Sequence, residues 1–424
     1  MKRTKLLVVL LTVMCMVVIG GCSSKNISHI NQTGLKNTEK PAFNQDQVYV
    51  SANTTGLQLL KGICADSKDK NAIFSPLSLS TILAVLQNGA EGKTRQEINT
   101  LINLDQLPTE RLNEKYHMTI EKILKSGYEE NGKKTTVIEL ANSLWVQEKL
   151  PVKDTFLKPA HNYYNTEAFN VNFTDKNTIS TMNQWIEDKT HGRIFNHISG
   201  FDSPPAMVAF NSLYFNGKWQ IPFDPSNTQP EKFYLNNGRT VKVDMMNADQ
   251  WIGYYENDQV QMGKFDYFGC NMLVILPKGD TNDYLRHLDY EQIQTALSNA
   301  ELRKVKVKFP KFSFNQKNEL VSHLQAMGME SAFDSNKADF SGIADGSTNF
   351  NLFISKISQE CFISVDEEGT EAAALTSVIL SGSAPPRENA PVKFYVNKPF
   401  IFIISDDYNG LFLFIGKVEN PLDK

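Results

Sequence analysis

The stretch that decides the fold reads VDEEGTEAAA and occupies residues 365–374. It opens a connection of small residues, 367–391, between a strand predicted to end near Asp366 and one predicted to begin near Phe394. A connection of this length without structure of its own is uncommon in a compact domain and usually serves a function. Composition alone leaves two other interpretations open: a disordered excursion, or a short helix over residues 370–375, since Ala and Glu favour helix.

Taken as a strand, this connection has one face that carries no charge. Side chains alternate between the two faces of a strand. The residues of the uncharged face are Thr370, Ala372, Ala374, Thr376, Val378 and Leu380. A charged group on that face would be costly to bury, so its absence allows the segment to enter between two existing strands. Gly369 stands immediately before it and gives the backbone freedom to bend.

The stretch at 365–374 resembles the hinge of inhibitory serpins, and other motifs agree with the same family along most of the chain. The further matching stretches are residues 71–98, 183–194, 211–224, 310–312, 338–342 and 397–400. Each match is weak alone, but their order and spacing together are specific. The hinge residues that the resemblance assigns are Glu367, Gly369, Thr370, Glu371, Ala372, Ala373 and Ala374.

The resemblance implies a fold and a mechanism. The fold is α+β, with three β-sheets, about nine helices and an exposed reactive-centre loop at residues 367–391. The protein would be an inhibitor rather than an enzyme: a serine protease attacks the loop and forms its acyl-enzyme, and the cut loop then enters the central sheet and traps the protease. The alternative is a non-inhibitory serpin that acts as a binding protein. A monomer without cofactor or metal is expected.

Family spacing, counted from Glu367, places the scissile bond between Ser383 and Ala384. A residue as small as Ser383 suits the pocket of an elastase-like or subtilisin-like protease. Arg387 is the basic residue nearest to this bond, and it lies too far along for a trypsin-like target. Cleavage after Gly382 or after Ala384 remains open, because the stretch from 384 to 394 looks longer than is usual in the family.

The resemblance also assigns residues that control opening of the central sheet. They are Ser75, Ser78, Asn211 and Gln359, with Trp219 in the breach region where the loop enters. Serpins usually carry a His where this chain has Gln359. An amide also donates and accepts hydrogen bonds, so two interpretations stay open: a simple replacement, or a differently tuned gate.

The first residues have the layout of a secretory signal, with Lys2, Arg3 and Lys5 before an apolar run over 6–19. Small residues then precede Cys22, which resembles a bacterial lipoprotein cleavage box. The expected organisation is a signal peptide at 1–21, a lipidated Cys22 with a disordered tether through 46, and one domain from 47 to 424. The protein would then be extracytoplasmic and held to a bacterial membrane by lipid. An ordinary signal peptide or a short membrane anchor is the alternative.

Other function classes are disfavoured. A net charge of −4 and a pI near 6.0 argue against nucleic-acid binding. Gly92-Lys93-Thr94 ends like a P-loop, but Gln87 stands where the first glycine is required. His191 and His197 lack metal-ligand spacing, and the three cysteines after Cys22 are expected to be buried and unpaired. They are Cys64, Cys270 and Cys361.

Sequence patterns predict helices early in the chain and antiparallel strands later. Residues 78–87 are apolar enough for a buried helix, and Thr94 with Glu97 is expected to form a capping box. Strands are predicted over residues 137–146, 207–215, 271–276, 400–404 and 411–415. The last two flank Asn409-Gly410, which predicts a hairpin turn.

Overall fold

The protein is described from a computed structural model, which covers residues 47–103, 107–125, 129–130, 133–194, 198–344, 351–370 and 391–424. Several predicted features lie outside the described residues. They are Cys22 and the tether, the hinge residues Glu371, Ala372, Ala373 and Ala374, and the bond between Ser383 and Ala384. The described residues from 47 onward belong to one compact unit.

Nine α-helices occur among the described residues, six of them before residue 190. They are α1 (Gln47–Asp66), α2 (Pro76–Gly89), α3 (Gly92–Leu101), α4 (Thr109–Leu124), α5 (Asp154–Tyr164), α6 (Lys176–Lys189), α7 (Thr281–His287), α8 (Tyr290–Asn299) and α9 (Val321–Ala326). Helix α2 contains the predicted residues 78–87 and begins two residues earlier, at Pro76. The Ser75 side chain accepts from the Ser78 N–H, and Pro76 fills the first turn without losing a hydrogen bond.

The predicted capping box is wrong. Helix α3 begins at Gly92 after Glu91, so Thr94 lies inside its first turn. The Thr94 hydroxyl accepts from the Asp339 N–H at 3.0 Å, and Glu97 accepts from the Ser331 N–H at 2.6 Å. Both side chains therefore bind a distant segment of the chain instead of each other's backbone.

The strands, in chain order, fall mostly in the second half of the chain. They are β1 (Ala72–Phe74), β2 (Glu129–Glu130), β3 (Lys133–Lys134), β4 (Thr136–Gln147), β5 (Thr166–Val171), β6 (Met207–Lys218), β7 (Gln229–Tyr234), β8 (Thr240–Glu256), β9 (Val260–Asp266), β10 (Cys270–Pro277), β11 (Glu301–Pro310), β12 (Phe312–Glu319), β13 (Lys356–Val365), β14 (Gly369–Thr370), β15 (Val392–Tyr395), β16 (Phe400–Asp406) and β17 (Phe412–Val418). The strands predicted from sequence are confirmed, and Gly410 turns the β16–β17 hairpin with φ of 66°.

These strands form two large mixed sheets and a two-stranded ribbon of β2 with β3. The six-stranded sheet has the order β12-β13-β14-β6-β4-β5. The nine-stranded sheet follows β1-β17-β16-β10-β9-β8-β11-β15, with β7 added beside β8. Two of the three expected sheets form one continuous array because β8, with 17 residues, pairs in turn with β7, β11 and β9.

The apolar core lies on both sides of the six-stranded sheet. One cluster packs α1 and α2 against it and the nine-stranded sheet, and a second fills the space between the sheets with aromatic side chains. A third, smaller cluster lies under α6, where Trp185 and Ile186 pack against Trp145 and Phe210 of the outer sheet face. Cys64, Cys270 and Cys361 are buried and free, as predicted. No described helix is long and apolar enough to cross a bilayer.

Candidate functional site: the junction between strands β6 and β13

The two central strands of the six-stranded sheet are joined in two different ways along their length. Toward one end, β6 and β13 pair directly in parallel, from Lys356 opposite Val208 to Glu360 opposite Ser212. Toward the other end, β14 lies between them and pairs antiparallel with both. The sheet is therefore closed at one end and already holds an additional short strand at the other.

The register is the same at both ends. Gln359 lies opposite Asn211 in the direct ladder, and six residues further on Val365 lies opposite Gly217 with Thr370 between them. The two strands therefore separate sideways without sliding past each other. A strand that extends β14 toward the closed end would meet both neighbours in an alignment that already exists.

Six residues at the open end, called here the hinge cluster, hold β14 in place. They are Trp219, Tyr267, Lys311, Glu367, Gly369 and Thr370. The Thr370 side chain is buried, and its hydroxyl lies 2.6 Å from the hydroxyl of Tyr267. The Tyr267 ring stacks on Trp219 with centroids 4.2 Å apart. The first residue of the predicted inward face is thus already seated in the sheet.

Gly369 occupies a position that excludes other residues. Its φ is 154°, and a Cβ added there would lie 2.1 Å from the carbonyl oxygen of Gly217. Because that neighbour is backbone in the adjacent strand, no side-chain rotation could relieve the collision. The sequence predicts a backbone that bends at this glycine, and the structure adds the close strand contact that requires it.

The turn that leads into β14 is bonded on several sides. The Asp366 carboxylate accepts from the N–H groups of Glu368 at 2.9 Å and Gly369 at 3.3 Å. The indole of Trp219 donates to the Asp366 carbonyl at 3.0 Å, and the backbone of the same tryptophan donates to the Glu368 carbonyl at 2.9 Å. Burial raises the pKa of Asp366, although its backbone hydrogen bonds act in the opposite direction.

Glu367 fixes the same turn through its side chain. One carboxylate oxygen accepts from the Lys311 ammonium at 2.8 Å and the other from the Thr228 hydroxyl at 2.7 Å. Burial opposes ionisation of Glu367, but these two hydrogen bonds, a backbone hydrogen bond and the positive charge of Lys311 together hold the pKa of the carboxyl below its ordinary value. Sequence reasoning did not assign a role to Lys311 or Tyr267, although Lys311 lies inside the quoted motif at 310–312.

At the closed end, four residues form what is called here the gate cluster: Ser75, Ser78, Asn211 and Gln359. The Gln359 amide accepts from the Ser75 N–H at 2.8 Å and donates to the Ser75 carbonyl at 3.0 Å. Its nitrogen also donates to the Asn211 side-chain oxygen at 3.2 Å. One amide thus binds the cap of α2 and the neighbouring strand together.

Asn211 extends this network to the next strand. Its side-chain nitrogen donates to the Ser78 carbonyl at 2.9 Å and to the Asn142 side-chain oxygen of β4 at 2.5 Å. Its oxygen accepts from the Ser78 hydroxyl as well as from Gln359. The structure brings together all four residues that the resemblance assigned to the gate, and Trp219 lies apart from them in the hinge cluster.

The comparisons with known proteins agree with this geometry. The family described as Serpin (serine protease inhibitor) matches residues 50–421, which is most of the chain. The chain is a serpin. This serpin is 34% identical over 443 aligned residues to an uncharacterized serpin-like protein of Thermococcus kodakarensis, with both chains covered completely. The family and the fold predicted from the sequence are therefore confirmed.

Two further relatives of this serpin have descriptive names. Human alpha-1-antichymotrypsin is 33% identical over 380 residues, which cover 88% of each chain. The solved structure of thyroxine-binding globulin in complex with thyroxine superposes with a TM-score of 0.79 and 25% identity, over 89% of this chain and 100% of that one. Serpins generally inhibit serine proteases and are not enzymes, and the relatives include members of both the inhibitory and the non-inhibitory kind.

Proposed function

We propose that this serpin is an irreversible suicide-substrate inhibitor that traps a serine protease by inserting its cut loop between β6 and β13. The observation that carries the proposal is β14. Gly369 and Thr370 already lie between the two strands, in the register that direct pairing uses further along. Insertion would continue an alignment that is present before cleavage.

The next residues of the loop fit that alignment by size. Continuing β14 antiparallel to both neighbours would set Ala372 between Phe215 and Ile363, whose side chains are buried. Ala374 would follow between Leu213 and Cys361, which are buried as well. A small apolar side chain is what such a buried row accepts, and a charge there would be strongly unfavourable.

Insertion also has an identifiable cost. It would separate the five residue pairs that join β6 directly to β13 and break the bond between Gln359 and Asn211. Each ladder hydrogen bond formed by the new strand would stabilise the inserted state by about 1 kcal/mol net. Burial of Val378 and Leu380 adds about 1.5–3 kcal/mol each. The proposal requires these gains to exceed the cost of parting the strands, with the uncut loop as the restraint that prevents insertion before cleavage.

The proposed scissile bond is Ser383–Ala384, with cleavage after Gly382 or Ala384 as the alternatives. The target is a protease with a small apolar pocket, elastase-like or subtilisin-like. Incubation with a panel of serine proteases tests both points. We expect a complex that survives denaturing electrophoresis, with the released C-terminal peptide beginning at Ala384 by mass spectrometry. A protease whose catalytic serine is blocked in advance is the control and should give no complex.

A second candidate, a non-inhibitory binding protein, is supported by the similarity to thyroxine-binding globulin. Thermal unfolding after cleavage separates the two candidates. A loop that inserts adds a strand and should raise the unfolding temperature markedly, whereas a loop that stays outside should leave it unchanged. Clean cleavage without a shift in unfolding temperature, and without covalent complex, would favour the binding protein.

The proposed location is outside the cytoplasm, with the lipid of Cys22 holding a monomer to a bacterial membrane. The proposal is supported by the basic residues, apolar run and small residues that precede Cys22. Cys22→Ala should release the protein from the membrane fraction or leave the signal peptide attached. A mature-length Cys22→Ala protein that still fractionates with membranes would contradict the lipid assignment.

A further inference from the structure

Three lysines stand on alternate residues of β11, and the neighbouring edge strand β15 adds a fourth. They are Lys304, Lys306, Lys308 and Lys393, called here the basic face. Side chains alternate between the two faces of a strand, and Val305, Val307 and Phe309 fill the buried core between the two large sheets. The lysines that alternate with them therefore point away from that core.

Two of these lysines lie side by side. Lys306 pairs with Lys393 in the parallel ladder of β11 with β15, and both residues are exposed. Like charges directly opposite each other on adjacent strands are destabilising. Asp249 stands opposite Lys306 on β8, but neither lysine forms an ion pair with any residue that the structure describes. The repulsion between the two ammonium groups is therefore not neutralised within the described ranges.

Lys308, on the same face, shows the contrasting case of a paired lysine. Its ammonium contacts the Glu231 carboxylate of β7 and lies 5.3 Å from the centre of the Tyr395 ring. Lys306 and Lys308 line one open groove together with Tyr395 and Asp249. One end of the groove is thus neutralised, and the ammonium groups at the other end are available to a partner.

Protection of a sheet edge does not explain this arrangement. Lysines on an edge strand discourage pairing with another chain, and Lys393 lies on the edge strand β15. Lys306 does not, because β11 pairs with β8 on one side and with β15 on the other. The chain as a whole carries a net charge of −4, so the excess of positive charge is a local feature of this face.

The basic face lies where the loop rejoins the fold. Lys393 stands nine residues after Ala384, the first residue beyond the proposed scissile bond. Nine residues span at most about 30 Å when fully extended. A globular protease of about 250 residues has a radius of gyration of about 18 Å and hence a diameter of about 45 Å. A protease bound at Ser383–Ala384 would therefore reach the basic face on the side that holds the residues after the cut.

We propose that the basic face is a docking surface for an acidic patch of the target protease, next to the subsites that bind the residues after the scissile bond. The inference rests on the proposed inhibitory function and narrows its targets to small-pocket serine proteases that carry negative charge there. Complementary charge raises the rate at which two proteins meet more than it strengthens the final complex. A trap that becomes covalent depends on that rate.

The rate of complex formation tests the docking surface. In the full protein, the double variant Lys306→Glu with Lys393→Glu should trap a negatively charged small-pocket protease about 10-fold or more slowly than the parent at low salt. The difference should shrink as the ionic strength rises, because salt screens exposed charges. The number of inhibitor molecules consumed per trapped protease should stay at the parental value, since neither lysine belongs to the hinge cluster or the gate cluster.

Matched variants separate the docking surface from net charge. Lys149→Glu with Lys158→Glu changes the net charge equally, but these exposed residues lie just before and within α5, which packs beside β5 in the other large sheet. This control should trap the protease at the parental rate. Lys306→Gln with Lys393→Gln removes two charges without reversing them, and its rate should fall between those of the parent and the reversed variant.

The outcomes are distinguishable from those of the proposed function. Equal rates for the parent and the charge-reversed variant at low salt would overturn the docking surface even if the protease is trapped efficiently. If no protease is trapped, the two proteins are compared for reversible binding to a negatively charged protease whose catalytic serine has been changed to alanine. Charge-dependent binding would support the docking surface and count against inhibition, whereas equal or absent binding would overturn it.

A polyanion is the competing partner for a basic surface. Retention on a column of sulfated polysaccharide, measured for the same variants, separates it from a protease. If the charge-reversed variant lost retention on the column but trapped or bound the protease like the parent, the basic face would be a polyanion site and the proposal would be wrong.

Discussion

The hinge cluster and the gate cluster lie along the same pair of strands but restrain them in opposite ways. At the hinge, the sheet already holds Gly369 and Thr370 between β6 and β13, and side-chain bonds stabilise them there. At the gate, the strands pair directly and Gln359 ties them to the cap of α2. In the proposed mechanism this difference gives a direction: the sheet would open from the hinge cluster, where β14 already lies between the strands, toward the gate cluster, where they pair directly.

The strongest test of this comparison places a charge just beyond the hinge. Ala372→Arg would require a guanidinium to be buried between Phe215 and Ile363, and we expect trapping to be abolished. Cleavage near Ser383 should continue, because the proposed scissile bond is distant from residue 372. The variant would then behave as a substrate of the protease rather than as its inhibitor. Denaturing gels and residual protease activity measure both outcomes.

The matched control for Ala372→Arg is Glu371→Arg. Residue 371 would enter the row of Asn216 and Ser364, which are only partly buried. This variant should therefore inhibit nearly as well as the parent. If Ala372→Arg traps protease with parental stoichiometry, loop insertion is not the working step.

The second test disrupts the hinge itself. Gly369→Ala introduces a Cβ that would lie 2.1 Å from the Gly217 carbonyl oxygen. The backbone of β14 must move, and we expect native stability to fall by about 3 kcal/mol, measured by urea unfolding. Gly238→Ala is the control: its φ of 79° is also positive, but nothing lies within 4 Å of the added atom. A similar loss of stability in both variants would mean that the positive φ of the backbone, rather than the close approach of two strands, causes the effect at Gly369.

The third test loosens the gate. Gln359→Ala leaves the buried N–H of Ser75 without its partner, which costs about 1–3 kcal/mol. We expect a lower urea midpoint and a faster spontaneous loss of inhibitory activity on incubation, because less work is needed to part the strands. Gln359→His restores the residue that the family usually carries and should keep most of the stability. Unchanged behaviour of Gln359→Ala would show that the backbone ladder, without Gln359, closes the gate.

The smallest expected effect concerns the pH dependence of the hinge. The pKa of Glu367 is lowered in the folded protein, so its contribution is present above the ordinary pKa of a glutamate, about 4.3, and is lost as the pH falls through the lowered value. Glu367→Gln should therefore unfold at a lower temperature than the parent at pH 7, by the equivalent of about 1 kcal/mol, since Lys311 is screened by water. The gap between the two proteins should close below about pH 4. If the difference in unfolding temperature between the two proteins instead grew in acid, the lowered pKa of Glu367 would be wrong.

Much of the fold was predictable because it depends on neighbours in the sequence. Apolar runs identified β4 and β6, the apolar residues 78–87 identified most of α2, and Asn409-Gly410 marked the final hairpin. The failed capping box shows the limit of such predictions. Thr94 and Glu97 have the right spacing, but their side chains accept hydrogen bonds from the backbone N–H groups of Asp339 and Ser331 instead. Local spacing gives no information on which distant backbone group will arrive at a helix end.

By itself, the sequence determined the family and the α+β class, and it predicted a bend at Gly369 and a group of four residues at the gate. Only the tertiary structure decided that Thr370 is already seated between the strands, that Lys311 neutralises Glu367, and that Tyr267 binds Thr370. The last two contacts join residues 56 and 103 positions apart. Such contacts depend on the register in which whole strands meet, which is set by the packing of many side chains at once and not by any short stretch.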